Sequence, residues 1–152
     1  MTYKPPAPAC TRRAAVARVA VVAFVSGESW AAGNSPAGEP DPRWYEAAAL
    51  QKQLAESWGD QSYGAVVVLD GALVGEGPSR VVKNGDANAH AEREAIRDAQ
   101  GRLGRNRLDG SVLYSTSRPC AVCEAAAALA GVSRMYFGPS LNDAGPPRII
   151  KR

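Results

Sequence analysis

Residues 111–132 read SVLYSTSRPCAVCEAAAALAGV, and the pattern changes period halfway along. The first part, with Val112, Leu113, Tyr114 and Thr116, has the β-branched, aromatic and apolar make-up of a buried strand. From Pro119, a residue suited to a first helical turn, an alanine-rich helix is predicted that Gly131 stops. RMYFG (134–138) then reads as another strand.

Upstream the same two periods alternate. YGAVVVLDGALVGEG (63–77) is two apolar runs around Asp70-Gly71, a dipeptide that suits the positive φ angles of a two-residue hairpin. Before it, Asp41 and Pro42 provide the cap and first position of a helix expected over about Pro42 to Ser57. After it, NGDANAHAEREAIRDA (84–99) leads from a polar loop into a helix over Ala89 to Gln100, with Ala91, Ala95, Ile96 and Ala99 on one face and Asn88 or Asp86 at the cap. The predicted order is helix, strand, strand, helix, strand, helix, strand, an α/β fold in which a mixed sheet is sandwiched by helices in three layers.

A chain of 152 residues, 45% apolar and 22% charged, has the length and composition of one domain with a core. No segment offers the roughly 18 uninterrupted apolar residues of a membrane helix, so no membrane insertion is expected. The formal charge of +3 lies entirely in residues 1–32, where Lys4, Arg12, Arg13 and Arg18 face Glu28 alone. The remainder carries fourteen residues of each sign, which argues against a broad phosphate-binding face. Residues 1–32 read as an export signal: a basic start, an apolar run from Val19 to Val25, small residues at Ala31 and Ala32, and a twin-arginine-like pair at Arg12 and Arg13. GNSPAGEP (33–40) reads as a linker, and residues 41–152 as the domain. The expected location is the periplasm or the medium, with the cytoplasm as the alternative.

Cys120 and Cys123 lie three apart at a helix start, on one face, where the helix N-terminus favours thiolates. They form half of a zinc site. His90 is the only histidine in the chain, and Cys10, in the leader, is the only other cysteine. His90, Cys120 and Cys123 therefore give zinc three of its four ligands, and the open fourth position is the mark of a catalytic ion that lowers the pKa of water. Glu92, two residues past His90, is the candidate general acid and base. Alternatively, the cysteines form a redox pair, or a non-catalytic zinc domain in which the metal holds only structure.

His90-Ala91-Glu92 followed by Pro119-Cys120-Ala121-Val122-Cys123 is the His-x-Glu, Pro-Cys-x-x-Cys pattern of zinc deaminases. With YGAVVVLDGALVGEG before it and GVSRMYFG (131–138) after it, the run from about Tyr63 to Gly138 resembles the cytidine-deaminase superfamily, in its guanine-deaminase and tRNA-adenosine-deaminase branch. The resemblance implies one zinc ion (Zn2+) per chain, hydrolytic release of ammonia, and a homodimer paired through the helices that cover the sheet. It also places Ser79, Asn88, Ala91 and Pro119 at the substrate pocket. Two positions depart from the branch: Arg118 stands where relatives usually have Glu, and Ser79 where the tRNA enzymes usually have Asn. The terminal helices of the branch are expected to be short or absent after YFGPSLNDAGPPRIIKR (136–152). An exported domain of neutral charge would meet a free nucleobase or nucleoside more readily than tRNA, so that is the expected substrate, purines such as guanine or adenosine first; the alternative is an adenosine in tRNA, bound through Arg102, Arg105 and Arg107.

Overall fold

In the computed structural model of the chain, residues 39–149 are described; the export signal read in residues 1–32 and the linker up to residue 38 lie outside them. Helix α1 (Pro42–Ser57) starts as its cap predicts, with the Asp41 carboxylate accepting from the Arg43 N–H at 3.0 Å. Strands β1 (Gly64–Leu69) and β2 (Ala72–Pro78) are joined by Asp70 and Gly71, at φ 51° and 74°, the two positive angles of a type I′ turn. There follow a single turn α2 (Val81–Asn84), α3 (Ala91–Leu103), β3 (Val112–Ser115), α4 (Ala121–Ala130), β4 (Arg134–Phe137) and β5 (Asn142–Gly145).

The strands form one mixed sheet in the order β2-β1-β3-β4-β5, with β3 and β4 parallel and every other pair antiparallel. Alternation along β1 divides the core. Ala65 and Val67 pack with Ala91, Ala95 and Ile96 of α3 and Ala127 of α4, whereas Val66 and Val68 pack with Ala48 of α1 and the stacked Tyr114 and Tyr136. Helices thus cover both faces, as the three-layer reading requires. The helix–sheet contact is unusually close at β2: a Cβ built on Gly77 would lie 2.0 Å from the Ala91 carbonyl oxygen, and one on Gly75 2.3 Å from that of Ala95. Only glycine lets α3 lie this near the strand.

Pairing directions fix where the chemistry gathers. Both β2 and β3 run antiparallel to β1, so they point the same way, and the helices α3 and α4 that follow them begin at the same end of the sheet.

Three boundaries differ from the sequence reading. Helix α3 begins at Ala91 instead of Ala89, because the Asp86 carboxylate accepts from Asn88 N at 2.8 Å and holds residues 86–89 in a turn. Asn88 and Asp86 are therefore not its cap; His90 occupies that position, one residue outside the first turn in which it was expected. The helix continues past Gln100 to Leu103 and stops at Gly104, φ 62°. Helix α4 begins at Ala121, with Cys120 as N-cap, two residues beyond Pro119. The turn α2 and the edge strand β5 were not foreseen: the first is too short to show a period, and the second, NDAG, lacks β-formers and pairs with β4 beside the Arg134–Asp143 ion pair. Among the described residues no helix follows α4, and none is long and apolar enough to cross a membrane.

Candidate metal centre

His90 and Cys120 occupy equivalent places, each the extended N-cap of its helix with a carbonyl that accepts the first helical bond, from Glu94 N and Glu124 N respectively. Neither side chain caps. Ser, Thr, Asp or Asn would satisfy an orphan N–H there and contribute about 1 kcal/mol. Both helices forgo that, and the two uncapped side chains turn toward each other.

The imidazole Nδ1 of His90 lies 3.6 Å from Cys120 Sγ and 3.4 Å from Cys123 Sγ, and all three donor atoms fall within 4.8 Å of one another. Tetrahedral bonds of about 2.1 Å to nitrogen and 2.3 Å to sulfur would separate such donors by about 3.6 Å, which the two distances from His90 Nδ1 match. Electrostatics agree. Burial pushes the Cys123 thiol well above its ordinary pKa, and the Glu92 carboxylate and Cys120 push it further the same way. Cys123 and Glu92 are closed off from water, at 1% and 5% exposure, and a cation bound between the donors would favour the thiolate that burial disfavours. Among the described residues this is the group of three or more metal-type donors, and it offers no fourth protein ligand.

Glu92, the second residue of α3, accepts a hydrogen bond at Oε1 from Ser115 Oγ at 3.2 Å. Ser115 is the last residue of β3, and its own Oγ accepts from the Ser117 N–H at 3.4 Å. With the acceptor side so engaged, the hydroxyl proton is directed at the carboxylate. In the sequence Ser115 shows only as part of a strand; the sign that it faces the site is its place at the end of β3, five residues before Cys120.

The remaining residues predicted at the site are distributed as follows. Ala91, the first residue of α3, and Pro119, which precedes Cys120, are both buried. Asn88 is exposed, its side-chain oxygen accepting from Arg93 Nη1 at 2.8 Å. Ser79 is fully buried and donates to Asp60 Oδ1 at 2.9 Å. Arg118 lies over the Phe137 ring, and Glu124 accepts from the Arg148 N–H at 3.2 Å, bringing the end of the described chain beside the start of α4.

This arrangement can be compared with known proteins. The family model described as the cytidine and deoxycytidylate deaminase zinc-binding region matches residues 39–139. The tRNA-specific adenosine deaminase of Agrobacterium fabrum is 39% identical over 93 residues, covering 61% of this chain and 61% of that protein. Guanine deaminase of Bacillus subtilis is 39% identical over 82 residues, 54% of this chain and 53% of that protein. The X-ray structure of Bacillus subtilis guanine deaminase aligns with a TM-score of 0.62 at 32% identity, over 66% of this chain and 64% of that one. A structure from work on A-to-I editing by tRNA:A34 deaminases gives 0.62 at 37% identity, over 64% of this chain and 71% of that one. The matched part thus spans less than two thirds of either curated relative.

Proposed function

Because the chain belongs to the cytidine and deoxycytidylate deaminase zinc-binding family, we propose that it is a hydrolase that removes the exocyclic amino group of a nucleobase or nucleoside, a purine first, and releases ammonia. The observation that carries this reading is the convergence of His90, Cys120 and Cys123 beside the buried, hydrogen-bonded Glu92. His90 Nδ1 and the two thiolates would hold zinc, which supplies a Lewis acid that makes water a nucleophile near neutral pH. Glu92 takes the proton that the attacking water loses and returns it toward the ring nitrogen and the departing amine. Ser115 keeps that carboxylate aimed during both transfers. Water adds to the carbon, the carbon–nitrogen bond breaks, and a keto base and ammonia result.

Two observations favour a free base or nucleoside. Of the three arginines expected to meet RNA, Arg102 is held by Glu76 and Asp98 at 2.7 and 2.8 Å, and Arg107 by Asp109. Position 79, moreover, is turned toward Asp60. A second reading, deamination of an adenosine in tRNA, is supported by the 39% identity to the Agrobacterium enzyme. Ammonia release from guanine, adenine, adenosine, cytidine and a tRNA transcript, measured with metal content, decides between them. Glu92→Gln should lower turnover by about a thousandfold or more with zinc retained. Full activity in that variant would overturn the assignment.

The family resemblance further supports a homodimer. Val122 and Leu129, 55% and 66% exposed and seven residues apart on α4, offer an apolar strip for it to bury; a monomeric sedimentation coefficient at micromolar concentration would refute this. Export of the folded domain rests on Arg12, Arg13 and the apolar run after them, and N-terminal sequencing of the mature protein tests it.

A further inference from the structure

The loop between β2 and α3 is closed on itself and fastened to a neighbouring segment. Arg80 N donates to Ala89 O at 3.0 Å, tying the loop's beginning to the residue before His90. Its fastening is Asp60, in the connection between α1 and β1. Oδ1 of Asp60 accepts from Ser79 Oγ at 2.9 Å and from Gln61 N at 2.7 Å, and Oδ2 accepts from Lys83 N at 2.8 Å. Ser79 N also donates to Tyr63 O at 3.0 Å, in the same connection. Trp58 takes Lys83 Nζ 3.5 Å from its ring centroid and Arg80 Cζ at 5.1 Å, and Arg80 also pairs with Glu94 at 3.7 Å, so both of the loop's cations are engaged. Burial opposes ionisation of Asp60, but the bonds from Lys83 N, Gln61 N and Ser79 outweigh it and hold the carboxyl below its ordinary range.

We propose that Asp60 is the positioning residue of the substrate-pocket wall formed by residues 79–90, and that Ser79 is its anchor and does not read the base. A fully buried hydroxyl already bonded to a carboxylate has no donor left for a ligand. Selectivity among bases therefore lies elsewhere on the wall, and Asp60 acts by fixing where that wall stands relative to His90. This rests on the deaminase reading for its kinetic part only.

The test uses the full-length, zinc-loaded protein with Asp60→Ala, Asp60→Asn and Ser79→Ala. Asparagine keeps one carbonyl for Ser79 and Gln61 but presents an amide NH2 to the Lys83 N–H, so it breaks one bond selectively. Hydrogen exchange should show the Lys83 amide losing protection in both Asp60 variants while amides of α3 keep theirs and zinc remains stoichiometric. KM should rise about tenfold in Asp60→Ala with kcat within about threefold, and by a common factor for every accepted base in Ser79→Ala. Unchanged Lys83 protection in Asp60→Asn would overturn the anchor whatever the turnover shows. A Ser79→Ala effect that differs between guanine and adenosine would overturn the claim that Ser79 reads no base. If the parent protein releases no ammonia from any substrate, the deaminase reading fails, and the exchange result still decides the anchor.

Discussion

Gly77→Ala adds one methyl group to β2, and its cost can be worked from the contact between β2 and α3. The new Cβ would stand 2.0 Å from the Ala91 carbonyl oxygen, 2.3 Å from Ala95 N and 2.9 Å from Ala95 Cα. A carbon and a carbonyl oxygen approach no closer than about 3.3 Å even in favourable contacts, so one element must retreat by about 1.3 Å. Every atom struck belongs to the backbone of α3, and no side chain can swing away. Overpacking of a core ordinarily costs about 1–3 kcal/mol, and a clash with rigid backbone at three atoms belongs at the top of that range or above it. For a domain stable by about 5–15 kcal/mol, a loss near 3 kcal/mol lowers the melting midpoint by about 10–20 °C. Catalysis should suffer more than stability alone explains. Ala91 sits between His90 and Glu92, so a retreat of α3 moves both, and about 1 Å of misplacement can cost about a hundredfold in rate.

The assay is thermal unfolding with zinc quantified, followed by kcat/KM well below the new midpoint. Gly101→Ala is the matched control: it lies in the same helix, at a negative φ, with nothing within 4 Å of a built Cβ. It should stabilise by about 0.5–1 kcal/mol. A Gly77→Ala midpoint within about 2 °C of the parent would show that helix and strand slide apart without penalty, and would refute the close-approach account.

Ser115→Ala removes the hydroxyl that aims Glu92 and should lower kcat about 10- to 100-fold with zinc content unchanged, since a bond to a charged group is at stake; Ser115→Thr should recover much of the loss. Ser111 Oγ is buried with no hydrogen-bond partner, so Ser111→Ala should raise stability by about 1 kcal/mol in urea unfolding, and a decrease would reveal a partner for that oxygen. Stripping zinc with a chelator removes a ligand that only the folded arrangement of His90, Cys120 and Cys123 can hold, so the midpoint should fall and return on adding zinc; an unchanged midpoint would mean that the metal contributes nothing to the fold.

The parts of this site that sequence displayed are those in which residue type and spacing are themselves the chemistry. One histidine, a cysteine pair three apart and a glutamate two places from the histidine admit few other uses, and the hairpin at Asp70-Gly71 and the cap at Asp41 are local devices with fixed signatures. What stayed hidden depends on pairing across the sheet. Ser115 reaches Glu92 only because β2 and β3 run the same way on either side of β1, and serine in a strand carries no mark of that. Ser79 is a second case: its hydroxyl donates to Asp60, nineteen residues earlier in the chain, and nothing in a lone serine announces that partner. Boundaries erred for a reason tied to function. Sequence rules look for a capping side chain, and here the N-cap positions of α3 and α4 hold His90 and Cys120, which cap nothing. The rule pointed to Asp86 and Asn88 instead, where the Asp86 carboxylate closes a turn by accepting from Asn88 N and the Asn88 side chain accepts from Arg93. Two helix starts that forgo the stability of a cap, at the same end of one sheet and with donor atoms 3.4 to 3.6 Å apart, are an expense that a fold carries only where those side chains have something else to hold.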